Sequence, residues 1–267
     1  MIHDFFATHP VFTYGEFSGY LVRRESRNPK THKAIILHHL RAGRIIRIRR
    51  GLYASIPPGL TPETAHPDPF LVASRMAPNA VIAYHTALEF HGRAYSAFHE
   101  FTILAETAMR PFDFQGNSYR AVSFPKALVR QGQQQTEIIT SDRSGLPVLV
   151  TTLERALVDV LDRPDLSGGW EEIWRSLESV EYFDLDRVVE YCLLLGNATT
   201  IAKVGFFLEQ HAAALMVDDA VIEKLRAHKP RSPHYMLRTK RESGRLVDAW
   251  NLVIPISIID RTWGAVT

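Results

Sequence analysis

The residues of this 267-residue sequence with the clearest chemical potential are basic, and they lie close together near its N-terminus. The first 60 residues hold ten lysines and arginines against three acidic residues, a net charge of +7 in a chain that totals +2. A basic head on a mildly acidic body is typical of proteins that bind nucleic-acid phosphates. A solvated basic surface without a partner is the alternative that charge alone does not exclude. The candidate DNA contacts are Lys30, Thr31, His32, Lys33, His38, Arg41, Arg44, Arg47, Arg49, Arg50 and Tyr53.

A helix must position the first half of these residues. Asn28 is suited to cap it, because its side chain can accept a backbone N–H, and Pro29 suits the first helical position. Gly43 follows as a stop signal. Three apolar residues recur at helical spacing and predict the buried face. They are Ile36, Leu37 and Leu40.

A two-stranded ribbon must position the second half. Residues 45–49 and 52–54 have strand character, and Arg50-Gly51 turns between them. An earlier helix opens at a capping box formed by Thr13 and Glu16. Helix, turn, helix and basic ribbon in this order predict a winged helix-turn-helix. Such a module reads bases with the N-terminal part of its second helix, while wing arginines contact phosphates or the minor groove.

The rest of the chain predicts an α+β protein. We expect a winged helix-turn-helix domain at 1–57, a semi-rigid proline-rich linker at 58–69 and a C-terminal α+β domain at 70–267. The patterns predict a mixed α/β body with a small antiparallel sheet followed by a helical block that begins near residue 151. Turns are predicted at Gln115–Asn117 and Ser243-Gly244, the latter before a strand at 246–254.

Two other kinds of site have partial signals in the sequence. His85 and Glu89 lie four residues apart, but no HExxH motif or further ligand spacing accompanies them, so surface or helix-end histidines are the simpler interpretation, as for His38-His39. Gly168-Gly169 upstream of Asp184-Leu185-Asp186 loosely resembles a nucleotidyltransferase site, which needs its aspartates on a rigid strand. Helical periodicity follows Asp184, so a helix cap is the better interpretation. We therefore expect no enzyme, no metal and no cofactor.

Four stretches together resemble AbiEi-type antitoxins and transcriptional regulators. They are RAGRIIRIRRGLYA, AYHTALEFHG, VTTLERALVDVLDRPDLSGGWEEIWRSL and KVGFFLEQ. The resemblance spans nearly the whole chain, and the ERALVDVL…P-x-L-S-GG combination is its most specific part. It implies an N-terminal DNA-binding head that represses its own operon at promoter repeats. It also implies a C-terminal domain that counters a nucleotidyltransferase toxin and contributes to phage resistance.

The same resemblance places a candidate antitoxin surface at Glu154, Arg155 and Asp159, where helix capping and a local salt bridge are the alternatives. Three functions stay open: an autorepressor with antitoxin activity, a stand-alone regulator whose body senses a ligand or mediates assembly, and an enzyme with a DNA-targeting head. Cys192 is the lone cysteine and no run is long and apolar enough to span a membrane, so we expect a cytoplasmic protein. The oligomeric state on DNA stays open.

Overall fold

The computed structural model describes residues 2–24, 28–237 and 244–261, and it is a mixed α+β protein, as predicted. The helices are α1 (Ile2–Thr8), α2 (Tyr14–Arg23), α3 (Pro29–Arg41), α4 (Pro69–Arg75), α5 (His85–Phe90), α6 (Lys126–Gln131), α7 (Leu153–Asp162), α8 (Trp170–Glu178), α9 (Leu185–Leu195), α10 (Ala198–Gln210), α11 (Asp219–Arg226) and α12 (Ile256–Ile259). The strands are β1 (Val11–Thr13), β2 (Ile45–Arg49), β3 (Leu52–Ser55), β4 (Val81–Ile82), β5 (Glu100–Ala105), β6 (Phe112–Phe114), β7 (Asn117–Ser123), β8 (Ile138–Arg143), β9 (Leu146–Thr151), β10 (His234–Tyr235), β11 (Gly244–Val247) and β12 (Leu252–Pro255).

The chain folds into two compact units, each built from three segments. Unit 1 comprises Met1–Ile82, His99–Val122 and Thr140–Leu149, and unit 2 comprises Ala83–Phe98, Ser123–Ile139 and Val150–Thr267. This division differs from the predicted one, because residues 58–69 lie inside unit 1. Within that segment Ala65 is buried, and its carbonyl accepts a hydrogen bond from Gln115 Nε2 at 2.9 Å. The proline-rich segment is therefore held by unit 1 and does not separate the units.

The N-terminal part of unit 1 packs α1, α2 and α3 with a three-stranded antiparallel sheet of order β1-β3-β2. Aromatic residues dominate its core, which consists of Phe5, Phe12, Phe17, Leu21, Ile36, Ile45 and Tyr53. The predicted capping box is confirmed: Thr13 Oγ1 accepts from the Glu16 N–H, and the Glu16 carboxylate accepts from the Thr13 N–H. These paired contacts fix the entry of the chain into α2.

The strand β2 departs from simple alternation. Its pairing with β3 shifts between Arg47 and Arg49, so that Ile48 is accommodated by a local irregularity in the ladder. Such a bulge inserts a residue and bends the strand. As a result, Ile45 and Ile48 are both buried while Arg47 remains exposed.

Unit 1 also contains most of a six-stranded sheet of order β6-β7-β5-β4-β9-β8. The predicted hairpin between β6 and β7 is confirmed, with Phe114 paired to Asn117 across a two-residue turn. Gln115 and Gly116 both have positive φ, +47° and +80°, as tight hairpin turns require. The antiparallel pairing of β4 with β5 continues this sheet towards its centre.

Unit 2 is the predicted helical block together with a small sheet. Gly205 of α10 faces the ring of Trp250, which a Cβ would meet at 2.1 Å, so only glycine fits there.

The small sheet of unit 2 has the order β10-β12-β11. Residues 248–251 turn between β11 and β12, so the single strand predicted at 246–254 is wrong. Ser243 of the predicted turn lies outside the described residues. None of the described helices has the length and apolarity of a membrane span.

Candidate nucleic-acid interface

Helix α3 is held in place by its cap and by one buried face. Asn28 Oδ1 accepts the Lys30 N–H at 2.9 Å, as the sequence predicts. His32, Ile36 and His39 point into the protein, and the Nδ1 atom of His32 lies within hydrogen-bond distance of Ser18 Oγ, at 2.9 Å. This polar contact to α2 fixes the rotation of α3 about its axis. The opposite face is consequently presented to solvent.

The solvent face of α3 runs along the whole helix. It consists of Lys30, Thr31, Lys33, Ala34, Leu37, His38 and Arg41, all exposed. From Lys30 to Arg41 this face is about 16 Å long, at 1.5 Å per residue. Two apolar residues, Ala34 and Leu37, lie among the cations. The face therefore offers both charge and apolar contact.

The ribbon β2–β3 adds further cations beside this face. Arg44, Arg47 and Arg50 are exposed, and Arg47 lies 6.0 Å from the centroid of the Tyr53 ring. Arg49 is half-buried, with its guanidinium 5.0 Å from the centroid of the Phe112 ring. That contact is a cation–π arrangement within unit 1. Part of the Arg49 guanidinium therefore contacts the protein, whereas Arg44, Arg47 and Arg50 extend into solvent.

No carboxylate among the described residues pairs with the cations of helix α3 and the ribbon. Within the described parts of the chain, no ion pair involves any of Lys30, Lys33, Arg41, Arg44, Arg47, Arg49 and Arg50. The first turn of α3 contains no acidic residue, although an acidic one there would stabilise the helix dipole. Glu16 is used elsewhere, since its Oε2 atom caps α2 and its Oε1 atom lies 3.3 Å from Arg75 Nε. The surface is left with a net positive charge.

Two of the predicted contact residues are wrong. His32 is only 1% exposed and Tyr53 only 7%, so neither can reach a nucleic acid. His32 is buried because the helix is rotated towards Ser18, and Tyr53 is buried because it packs in the aromatic core. The predicted buried face also needs correction, since Leu37 is 44% exposed. Ile35 packs against the core in its place.

The candidate antitoxin surface at Glu154, Arg155 and Asp159 is also wrong, because it is not a surface. Arg155 is 0% exposed and Asp159 1%, and they form an ion pair at 3.2 Å within α7. Arg155 Nη1 donates to the carbonyls of Gln134 and Thr136, at 3.0 and 2.7 Å. The helix buries this charge pair because α5, α8, α9 and α10 all pack against it.

Tyr191 completes the buried network by donating its hydroxyl to Asp159 Oδ1 at 2.8 Å. Burial, followed by the adjacent Asp159 charge, raises the pKa of the Tyr191 hydroxyl well above its ordinary value, so the hydroxyl stays protonated and donates. Burial also raises the pKa of the Asp159 carboxyl, and the charge of Arg155 opposes that rise. Glu154, which is partly buried, accepts the Asp184 N–H at 3.2 Å. All three residues serve the fold of unit 2.

The residues with partial signals for metal or nucleotide chemistry make structural contacts. His85 lies at the start of α5, a helix end as expected, but it is buried, and its Nε2 atom lies 3.0 Å from Glu172 Oε1. His39 is buried as well, whereas His38 is exposed as expected. In the residues that the structure describes, no group of three or more His, Cys, Asp and Glu side chains is placed to hold a metal ion. The side chain of Asp184 caps α9 by accepting the Arg187 N–H, as the sequence predicts.

The chain resembles the RV2827C protein from Mycobacterium tuberculosis. Its crystal structure matches with a TM-score of 0.61 at 18% sequence identity, covering 95% of this chain and 89% of that one. No family model matches the chain, and no curated protein does either. At this identity the likeness shows a common fold.

The sequence patterns did not indicate the apolar residues of this exposed face. Ala34 and Leu37 are exposed between Lys30 and Arg41. Helical spacing assigned Leu37 to the core because apolar residues at i, i+1 and i+4 fit more than one face of a short helix. The two histidines on the buried face were the missing signal. They show that His32, Ile36 and His39, not Leu37, define the inward stripe.

Proposed function

We propose that this protein is a DNA-binding transcriptional repressor, and that residues 1–57 act as a winged helix-turn-helix. In this proposal α3 is the recognition helix and the β2–β3 ribbon is the wing. The observation that supports it most is the exposed cationic face of α3 and the ribbon, which no described carboxylate neutralises. Lys30 and Lys33 lie near the N-terminal end of α3, where the helix dipole disfavours cations, and DNA phosphates would compensate their charge.

The dimensions and composition of α3 suit the major groove. The groove is about 12 Å wide and admits one helix, whose N-terminal residues contact base edges. Lys30, Thr31 and Lys33 occupy that position. Leu37 and Ala34 offer apolar contact to thymine methyl groups. His38 and Arg41, nearer the C-terminal end, would contact the phosphate backbone.

The ribbon supplies sequence-independent affinity. Arg44, Arg47 and Arg50 extend into solvent beside α3, where they would contact phosphates or a narrow minor groove. Arg49 contributes less, because part of its guanidinium surface faces Phe112.

Antitoxin activity is the second part of the proposal, and the four AbiEi-like stretches support it. Because Arg155 and Asp159 are buried, toxin contact would use other residues of unit 2. Co-expression with a nucleotidyltransferase toxin encoded beside this gene tests it, since the protein should restore growth. If no such neighbour exists, the alternative is a stand-alone regulator in which unit 2 senses a ligand or mediates assembly. Either role would place the protein in the cytoplasm.

The experiment that tests DNA binding is a salt titration with the full chain. Fluorescence anisotropy would compare a duplex from the protein's own promoter with a scrambled duplex of equal length. The double variant Arg47→Ala/Arg50→Ala should weaken binding to both duplexes. The slope of log affinity against log salt should fall by about 0.9 for each lost phosphate contact.

A matched control is available in unit 2. Arg130 and Arg231 are also exposed, so Arg130→Ala/Arg231→Ala removes the same charge elsewhere. This variant should keep the wild-type slope. Two outcomes would contradict the wing assignment. One is an equal salt slope for the wild type and Arg47→Ala/Arg50→Ala, and the other is an equal loss of DNA affinity in both double variants.

A further inference from the structure

A concave cleft in unit 1 lies beside the tip of the ribbon. Its volume is about 620 Å³, which is within the range of small-molecule sites. One wall is formed by Arg49, Arg50 and Gly51 of the ribbon, and another by residues 74–80 at the end of α4 and the loop that follows. Thr140, Pro147 and Leu149 of β8 and β9 complete it.

The cleft carries an excess of positive charge. Three arginines line it, Arg49, Arg50 and Arg75, against a single carboxylate, that of Glu16. Both oxygens of Glu16 are already engaged, one in capping α2 and the other facing Arg75. Guanidinium groups present planar pairs of donors that match the oxygens of phosphate. The cleft is thus suited to an anion with several oxygens.

Arg75 is the most informative of the three. Its side chain is only 8% exposed, and Nη1 donates to Ser74 Oγ at 2.9 Å. Its Nε atom is fully buried and lies 3.3 Å from Glu16 Oε1, without the alignment of a hydrogen bond to any described residue. Removing a guanidinium from water is costly unless its donors are satisfied. Glu16 already balances the charge of Arg75, so an anion in the cleft would add acceptors for the guanidinium donors that Ser74 and Glu16 leave unused.

We propose that this cleft binds a small molecule bearing a phosphate group. Arg75 and Arg50 would hold the phosphate, and the apolar wall of Met76, Pro147 and Leu149 would contact the rest of the molecule. A free phosphate fills only part of 620 Å³, so the volume favours a larger phosphorylated compound. A concave site encloses such a molecule, whereas duplex phosphates meet the protruding side chains of α3 and the ribbon.

The cleft and the ribbon share residues, which gives the site a regulatory consequence. A ligand that contacts Arg50 alters where the ribbon tip lies and therefore how it meets DNA. By linkage, DNA must then change the affinity for the ligand by the same factor. This consequence depends on the proposed DNA-binding function, but phosphate binding itself does not.

Isothermal titration of the full chain with inorganic pyrophosphate at constant ionic strength tests the site. The wild type should bind one equivalent saturably. Arg75→Gln should lose affinity at least tenfold while retaining affinity for promoter DNA. Arg41→Gln, which changes α3 only, should show the reverse: unchanged pyrophosphate binding and weakened DNA binding. Failure of DNA binding in every protein would leave the pyrophosphate results standing, so the two proposals fail separately.

Thr140→Glu is the second variant, in case Arg75→Gln does not fold. Thr140 is exposed on the cleft wall, and the added carboxylate should repel pyrophosphate to a similar degree. Absence of saturable binding to the wild type would overturn the proposal, as would equal affinity in the wild type and both cleft variants. Displacement of pyrophosphate by promoter duplex, with DNA affinity lost in Arg75→Gln, would assign the cleft to the DNA backbone and overturn the small-molecule site.

Discussion

Helices α3 and α7 carry charged residues in similar numbers but use them in opposite ways. The sequence predicts a contact surface on each. In α3 the cations Lys30, Lys33 and Arg41 are exposed and have no ion-pair partner among the described residues. In α7 the charges of Arg155 and Asp159 are buried and paired with one another. The cations of α3 are exposed to solvent, whereas the charged pair of α7 holds unit 2 together.

The number of elements packed on each helix explains the difference. Helix α7 is contacted by α5, α8, α9 and α10, so almost no face of it reaches water. A charge on such a helix must be matched inside the protein. Helix α3 packs through one stripe, against α2 and β2, and its other face is free to carry unpaired charge.

The largest effect is expected from the buried pair. Asp159→Ala leaves Arg155 as an uncompensated buried charge and removes the acceptor of the Tyr191 hydroxyl. It should lower the free energy of unfolding by about 3–5 kcal/mol, measured by urea denaturation. Asp159→Asn keeps an acceptor for the Tyr191 hydroxyl and should lower the free energy of unfolding by less. The control is Asp186→Ala, which removes an exposed aspartate of α9 and should change the free energy of unfolding little. If Asp159→Ala is as stable as the wild type, the buried pair does not hold unit 2 together.

An intermediate effect is expected on α3, and on DNA affinity instead of stability. Lys30→Ala should reduce the preference for the promoter duplex over a scrambled one by about 1–3 kcal/mol, if Lys30 reads a base edge. Its free energy of unfolding should stay at the wild-type value. Lys126, also an exposed lysine in the first turn of a helix, provides the control Lys126→Ala. If Lys30→Ala weakens binding to both duplexes equally, Lys30 contacts the DNA backbone and not a base edge.

The smallest effect concerns the buried stripe of α3. Burial, helped by the charge of Arg44, lowers the pKa of His39 below its ordinary value of 6.5. As the pH falls through about 6.5, the unfolded chain therefore takes up more protons than the folded one, and the free energy of unfolding decreases. His39→Gln should reduce the loss of stability between about pH 7.5 and pH 5.5.

The adjacent histidine provides the control for this measurement. His38 lies on the exposed face, so His38→Gln should keep the wild-type pH dependence. If the two variants respond to pH identically, burial of His39 is not the source of the loss of stability at low pH.

The sequence alone was sufficient for features that depend on neighbouring residues. Asn28, Thr13 and Asp184 cap the helices that they were expected to cap, and Gln115-Gly116 forms the expected hairpin turn. The α+β class also followed from local periodicity. These features are predictable because a cap or a tight turn is satisfied by backbone groups two to four residues away.

Tertiary structure decided which side chains meet solvent. Helical spacing placed Leu37 inside, and the first-turn position of His32 predicted a DNA contact. The structure reverses both because Ser18 and the aromatic core set the rotation of α3. It also buried Arg155 and Asp159, and it brought Arg75 beside the ribbon tip to form a cleft that no local pattern indicates. Burial and long-range pairing depend on residues distant in the chain, so one sequence read locally determines the elements but not the surfaces that they present.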